Sequence, residues 1–366
     1  MTHSEDTAMA IPKHWKGRGA LSNHEGRFEQ IIHVEEDDGW FHEEEPTNLQ
    51  TRMLVDATRS VITYNASPDV PFDRSINPYR GCEHGCVYCF ARPSHAYWGF
   101  SAGLDFETRI LYKPDAALLL TKELSRSTYS CAPIALGVNT DAYQPAEDKF
   151  GLTRALLQTL SDCHHPVTLV TKSSLIVRDI DILASMAQRG LVSVNISITT
   201  LDTQLKKIME PRASAPSKRL RTLRELSDAG IPVGVMVAPI IPVISDLELE
   251  RIVEQAAENG ATHASYVLLR LPHELRDLMS EWLRSYFPDG AQHVLNIIAS
   301  TRGGSLYDAT FGQRMRGTGA YAGMMQRRFD LICTRLRLNQ ERVQLRTDLF
   351  CKPDPNGQLS LFGHDV

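Results

Sequence analysis

The 366-residue chain has no apolar run long enough to cross a bilayer. Its longest nearly apolar stretch, Ile231 to Ile244, is broken by three prolines and falls short of the roughly 20 residues a spanning helix needs. No membrane partner is expected. The start lacks the apolar core of a secretory signal, staying polar to Ala8 and then reading IPKHWKGRG, so the cytoplasm is the expected location. Cysteines are few, seven in all. Their odd number and unpaired spacing argue against a disulfide framework and leave metal binding, catalysis or plain burial as their uses. There is no internal repeat and no long low-complexity tract, which excludes a solenoid. What remains, at 42% apolar residues, suffices for one barrel-sized domain with appendages.

Charge is segregated along the chain. Residues 1–50 carry eleven Asp/Glu against four Lys/Arg, whereas residues 301–352 carry ten Lys/Arg against four Asp/Glu. The basic segment suits a polyanion, or equally a set of solvated helix faces. Residues 1–73 read as an acidic extension, irregular in pattern, with HVEEDDGWFHEEEP as a solvated stretch.

From about residue 74 short β-branched runs alternate with helical patterns, the signature of βα units and a parallel sheet. The runs are PIALGVNT from Pro133, PVTLVTK from Pro166, LVSVNISI from Leu191, PVGVMVAP from Pro232 and HASYVLLR from His263. A further strand near Ser75 to Arg80 makes six units, which predicts an α/β fold with a partial (β/α)6 barrel rather than a closed eight-stranded one. Leu152, Leu156 and Leu160 mark one apolar helix face. Ser245 and Glu248 suit a capping box. Gly190, Gly230 and Gly260 each close a helical pattern before a strand, where a left-handed C-cap favours glycine. The expected organisation is an extension over 1–73, the barrel over 74–287, a basic and mostly helical cap over 288–352 and a flexible tail over 353–366.

The strongest chemical signal is NPYRGCEHGCVYCFARP, which sets Cys82, Cys86 and Cys89 at C-x3-C-x2-C spacing in one turn-rich loop. Three thiolates so placed can take three corners of an iron–sulfur cube and leave the fourth iron open. Gly81 and Gly85 permit the unusual φ values such a wrap needs. Structural zinc is the rival, with His84 as a fourth ligand, although zinc sites are normally built from paired C-x2-4-C motifs. Cys131, Cys163, Cys333 and Cys351 are too widely spaced for a second cluster and read as core or surface thiols.

With Tyr88 at the aromatic position, the triplet resembles the C-x3-C-x-aromatic-C hallmark of the radical S-adenosylmethionine (SAM) superfamily. More narrowly, GCEHGCVYCFARPSHAY with NTDAYQPAE, EPRA, APIIP and the early KGRGALSNHEGRFE resembles the bacterial spore-photoproduct-lyase-like family over nearly the whole chain. The resemblance implies a partial barrel, a 4Fe-4S cluster on the three cysteines and SAM on the unique iron. It also implies an electron donor of flavodoxin or ferredoxin type, and cleavage of SAM to a 5′-deoxyadenosyl radical that abstracts hydrogen. In parallel barrels such work falls to the C-terminal ends of the strands.

Residue by residue, the resemblance places Asn139, Thr140 and Asp141 where the methionine amine is received, by side chains or backbone carbonyls. Lys172 and Ser173 end the third strand. Ser197 and Thr199 end the fourth, where ribose hydroxyls would lie. Arg212 suits the SAM carboxylate, or an ordinary salt bridge to Glu210 or elsewhere, and Tyr88 would pack near adenine. Photoproduct lyases of this family use a hydrogen-donating cysteine near the end of the second strand. Here that end reads LGVNTD and Cys131 lies at the opposite end, which puts identical thymine-dimer repair in doubt.

The tail carries QLSLF, which resembles the bacterial sliding-clamp-binding pentapeptide. Gln358 would form hydrogen bonds, and Leu359, Leu361 and Phe362 would enter apolar pockets. The other possibility is a tail folded back on its own domain. In the basic segment Arg327 and Arg328 suit DNA phosphates, or simply solubility. Together these signals predict a radical SAM enzyme acting on nucleic acid, in DNA repair or modification. The alternatives are a radical SAM enzyme acting on a peptide or small molecule, and a clamp-associated DNA-binding module whose cluster is structural or redox-sensing.

Overall fold

The computed structural model describes residues 15–28, 49–341 and 343–353. Among the described residues ten strands form two sheets: β1 (Arg52–Val55), β2 (Ile62–Tyr64), β3 (Arg74–Ile76), β4 (Tyr79–Arg80), β5 (Arg109–Tyr112), β6 (Ile134–Leu136), β7 (Val167–Thr171), β8 (Val192–Ser197), β9 (Val233–Ile240) and β10 (His263–Leu268). The larger sheet has the order β2-β3-β6-β7-β8-β9-β10. Its last six strands run parallel, and β2 joins antiparallel at the edge. The edge strands β2 and β10 do not pair, so the barrel stays open. The small sheet has the order β1-β5-β4.

The parallel strands start nearly level, since Ile134 pairs with Val167 and Val167 with Val192. Their C-terminal ends therefore gather on one side. Along β7 and β8, Val167, Leu169, Val192, Val194 and Ile196 are buried, while Thr168, Val170, Ser193 and Asn195 alternate with them and are less so. The period of two sends the first set to one face and the second to the other. The buried face joins a core with Leu156, Leu157 and Leu160 of the helix Leu152–Asp162, and with Leu223, Leu226, Ile252 and Val253 of helices Pro216–Asp228 and Leu249–Glu258. Each large apolar side chain so buried is worth about 1.5–3 kcal/mol before the entropy of ordering it.

The six predicted βα strands are all present. The strand placed near Ser75 to Arg80 is split: β3 lies in the large sheet and β4 in the small one. Gly190, Gly230 and Gly260 take positive φ of 69°, 75° and 92° after their helices. The expected capping box does not form. Glu248 turns instead to the Thr200 hydroxyl and the Leu201 amide, and the Ser245 hydroxyl accepts the Ile241 amide at 3.0 Å. The stretch 49–73, read as irregular extension, supplies β1 and β2; HVEEDDGWFHEEEP lies outside the described residues.

The C-terminal region is built on the helices Ala291–Ser300 and Gly319–Arg335, with Leu275–Tyr286 just before it. It also seals the open edge of β10: the Asn339 side chain accepts the Ala264 amide at 2.9 Å and donates to the Ala264 carbonyl at 3.0 Å, as a neighbouring strand would. Among the described residues no helix is long and apolar enough to cross a membrane.

Candidate active site

The cysteine loop leaves β4 through Gly81 and turns again at Gly85, with φ of 77° and 69°. Both are forced choices. A Cβ at Gly81 would stand 2.8 Å from the Phe106 carbonyl oxygen, and one at Gly85 2.7 Å from the Glu107 carboxylate. Cys82 and Cys86 are buried and Cys89 half-buried.

Behind the loop, Arg92 is 0% exposed and every guanidinium N–H is used. Nε donates to the Cys86 carbonyl at 2.8 Å, Nη1 to the Ala102 and Gly103 carbonyls, and Nη2 to the Gly85 carbonyl and to the Glu107 carboxylate. Glu107 in turn accepts the amides of Gly19 at 3.0 Å and Ala20 at 2.9 Å. Arg18 donates to the Glu107 carbonyl at 2.8 Å. Gly19 lies so close that a Cβ there would stand 1.9 Å from the Gly85 carbonyl oxygen. The KGRGALSN segment thus packs directly on the back of the cysteine loop.

On the barrel side, several predicted residues converge. The buried Tyr88 hydroxyl is 3.1 Å from the Thr199 hydroxyl and donates to the Glu210 carboxylate. Glu210 also takes Arg219, whose Nη1 donates to the Ser197 carbonyl at 2.9 Å. Lys172 Nζ donates to the Ser197 hydroxyl at 2.6 Å and the Ala238 carbonyl at 3.4 Å, and the Thr199 hydroxyl donates to that same carbonyl at 3.1 Å. Burial alone would raise the Glu210 pKa; Arg219, Lys172 and the Tyr88 hydroxyl overcome it and hold the carboxyl down at about 2. Tyr88, Lys172, Ser197 and Thr199 therefore form one polar floor. The Glu210–Arg219 pair at its centre was not anticipated from sequence.

Asn139, Thr140 and Asp141 lie beside the loop with their side chains already engaged. Asn139 reaches the Ser94 hydroxyl at 3.3 Å, and the Thr140 hydroxyl donates to the Tyr79 carbonyl at 2.9 Å. The Asp141 carboxylate accepts the Thr171 hydroxyl at 2.7 Å, the Tyr143 amide at 2.9 Å, the Lys172 amide at 2.8 Å and His84 Nδ1 at 3.2 Å. Those four donors fill its acceptor positions. Burial would raise its pKa, but His84 and the hydrogen bonds bring it down to about 2. His84, the candidate fourth zinc ligand, is thus committed to Asp141.

Three other expectations take a different form. The Ser173 hydroxyl accepts the Leu175 amide at 3.2 Å and caps the short helix Ser174–Asp179. Arg212 makes the alternative salt bridge, to Glu83 at 3.2 Å and not to Glu210. Arg328 makes a two-pronged ion pair with Glu250, at 2.7 and 2.6 Å, and is a clasp between helices, while Arg327 is exposed. Gln358, Leu359, Leu361 and Phe362 lie outside the described residues.

The donor set fits an iron–sulfur cluster. Burial pushes all three thiols up, Cys86 to about 12, so thiolates need a strong cationic partner at this place. Among the described residues no three His, Cys, Asp or Glu side chains converge tightly enough for a single metal ion. With His84 held by Asp141 at 3.2 Å, three thiols on one loop lack the usual fourth ligand of a structural zinc and suit three corners of a cluster.

Fold and site together define an α/β protein with an open parallel barrel and a three-cysteine loop at the C-terminal ends of its strands. Residues 76–256, just under half of the chain, match the family model of the radical SAM superfamily. It is 36% identical over 222 residues to an uncharacterized protein of Mycobacterium tuberculosis, covering 60% of this chain and 65% of that one, just under two thirds of the relative's length. An uncharacterized protein of Methanocaldococcus jannaschii is 30% identical over 173 residues, covering 47% of this chain and 62% of that one. Among solved structures, spore photoproduct lyase complexed with dinucleoside spore photoproduct superposes with a TM-score of 0.55 over 78% of this chain and 79% of that one. A mutant of that lyase with bound AdoMet does so equally well, over 79% of this chain and 80% of that one. At 15% identity these likenesses show a shared fold.

Proposed function

We propose that this protein is a radical SAM enzyme acting on nucleic acid, in DNA repair or modification. The observation that carries the reading is the placing of two buried cysteines and a half-buried third against a polar floor at the C-terminal ends of parallel strands. Cys82, Cys86 and Cys89 would hold the 4Fe-4S cluster. When bound, cluster and SAM together supply reductive cleavage of SAM and a 5′-deoxyadenosyl radical that takes hydrogen from substrate.

The chain's own residues do the positioning. Lys172 has one N–H beyond its two bonds to Ser197 and Ala238, available to a SAM carboxylate or ribose oxygen. Thr199 and Tyr88 fix the floor on which adenosine would rest. Because the carboxylate of Asp141 is filled, backbone carbonyls of the Asn139–Asp141 turn would receive the SAM ammonium, and Asp141 would act by holding that turn. Arg92 and Glu107 keep the loop rigid and water out from behind.

The nucleic-acid part rests on the fold shared with a lyase whose structure holds a dinucleoside photoproduct, and on the basic segment. Arg327 remains a candidate phosphate contact on the exposed helix face. The QLSLF tail, as a sliding-clamp ligand, would raise the local concentration of enzyme on DNA. An anaerobic assay of SAM cleavage in reconstituted protein, with and without damaged oligonucleotides, tests the reading: cleavage stimulated by DNA supports it, and absence of cleavage under strong reductant refutes it.

A further inference from the structure

One cation at the mouth of the barrel has no counter-ion. Arg270 follows β10 by two residues and is half-buried. Among the described residues it makes no hydrogen bond or ion pair; its guanidinium lies over the Phe90 ring, 4.9 Å from the centroid. Phe90 directly follows Cys89 and is 48% exposed.

A second guanidinium stands close behind. Arg302 is 3% exposed, and it donates through Nη1 to the Gln313 carbonyl at 2.9 Å and through Nη2 to the Leu269 carbonyl at 3.3 Å. Its Nε is buried and has no partner among the described residues. Burial lowers both pKa values, and Arg270 lowers that of Arg302 further. A third, Arg314, also acts on Arg270, but it is satisfied by Asp69 and Ser67. Asp69 is thus already committed, and Asp308 acts on Arg302 without bonding to it.

A desolvated guanidinium without a partner costs free energy that a bound anion relieves, and its planar fork matches phosphate oxygens. An exposed aromatic face beside it offers what a base without a pairing partner stacks on. We propose that Arg270 contacts one phosphodiester of an unpaired nucleotide at the barrel mouth, with Phe90 as the stacking face and Arg302 as the fixed charge behind. This rests on the nucleic-acid reading above and assigns it a place beside Cys89.

The test is binding of a fluorescein-labelled single-stranded oligonucleotide to anaerobically reconstituted holoenzyme, by anisotropy across a salt series. Arg270→Gln should weaken binding about tenfold and flatten the salt dependence by about 0.7 in log–log slope, the share of one phosphate on a single strand. Arg270→Lys should retain most of the slope. Phe90→Leu should weaken binding and leave the slope unchanged. Arg335→Gln, which removes the same charge from the outer helix face where Arg335 meets Glu254, should have a smaller effect on both. If wild type binds and Arg270→Gln binds equally well, the site is wrong and the nucleic-acid reading stands. If wild type binds no oligonucleotide even at low salt, both fall. If Arg270→Gln loses SAM affinity and keeps the oligonucleotide, the arginine serves the SAM carboxylate and the proposal is overturned.

Discussion

Arg92 and Glu107 form an ion pair with neither side chain exposed, directly behind the loop that carries the three cysteines. Burying two charges is favourable only where each is fully hydrogen-bonded, as both are here. Removing one partner leaves the other charge stranded. Glu107→Ala should therefore cost about 3–5 kcal/mol of stability, read as a lower urea midpoint at pH 7, and should lower iron per chain after reconstitution. The double variant Arg92→Met/Glu107→Leu should be less damaging to stability than Glu107→Ala alone. Equal losses in single and double variants would show that the pair does not act as a unit.

Cys86→Ala should abolish both the iron–sulfur chromophore and SAM cleavage, as should Cys82→Ala and Cys89→Ala. Iron and sulfide assays on protein purified without oxygen check this. Stoichiometric zinc in place of iron would remove the central reading.

Asp141→Asn exchanges an acceptor for an amide that must face four donors. At about 1–3 kcal/mol for a buried group left unsatisfied, the variant should lose stability and iron along with SAM affinity. A variant with full iron and stability that loses only SAM affinity would return Asp141 to direct SAM contact.

His165 gives a pH dependence away from the site. Its Nδ1 meets the Pro166 carbonyl at 2.9 Å and its Nε2 the Tyr129 hydroxyl at 2.7 Å, so the neutral ring donates from Nδ1 and accepts at Nε2. Burial lowers its pKa from 6.5 to about 4. The unfolded chain thus binds the extra proton between those values. Its contribution to stability is complete above about pH 6.5 and falls, by about 1.4 kcal/mol per unit, as pH drops toward 4. Urea unfolding at pH 7 and pH 5 should differ in wild type, and the difference should shrink in His165→Gln.

The strands were legible because a parallel sheet buried on one face writes β-branched runs into the chain at regular intervals, from Pro133 to His263. The cysteines were legible because their chemistry is local. Lys172, Ser197 and Thr199 could be placed because they sit at strand ends, and Tyr88 because it is the aromatic position of the cysteine motif. The brace and the centre of the floor were not: Arg92 finds Glu107, and Glu210 finds Arg219 and Tyr88, by tertiary packing that has no period, and charged residues read by default as solvated. The Ser245–Glu248 box failed for a related reason, since a carboxylate at the right spacing found better donors in Thr200 and Leu201. Gly19 left a faint trace in KGRGA, where two glycines flank an arginine, but nothing in the sequence tells that one of them faces the cysteine loop.

The polar floor has a consequence for the order of assembly. The cysteine loop is complete once residue 89 is made and its brace once residue 107 is, but Tyr88 finds its partners only at Thr199 and Glu210. At about 5–20 residues per second, the loop waits on the order of ten seconds for its far wall during synthesis. A cluster inserted early would spend that time open to water and oxygen on one side. For the proposed holoenzyme, the topology therefore favours insertion of a cluster into the finished chain.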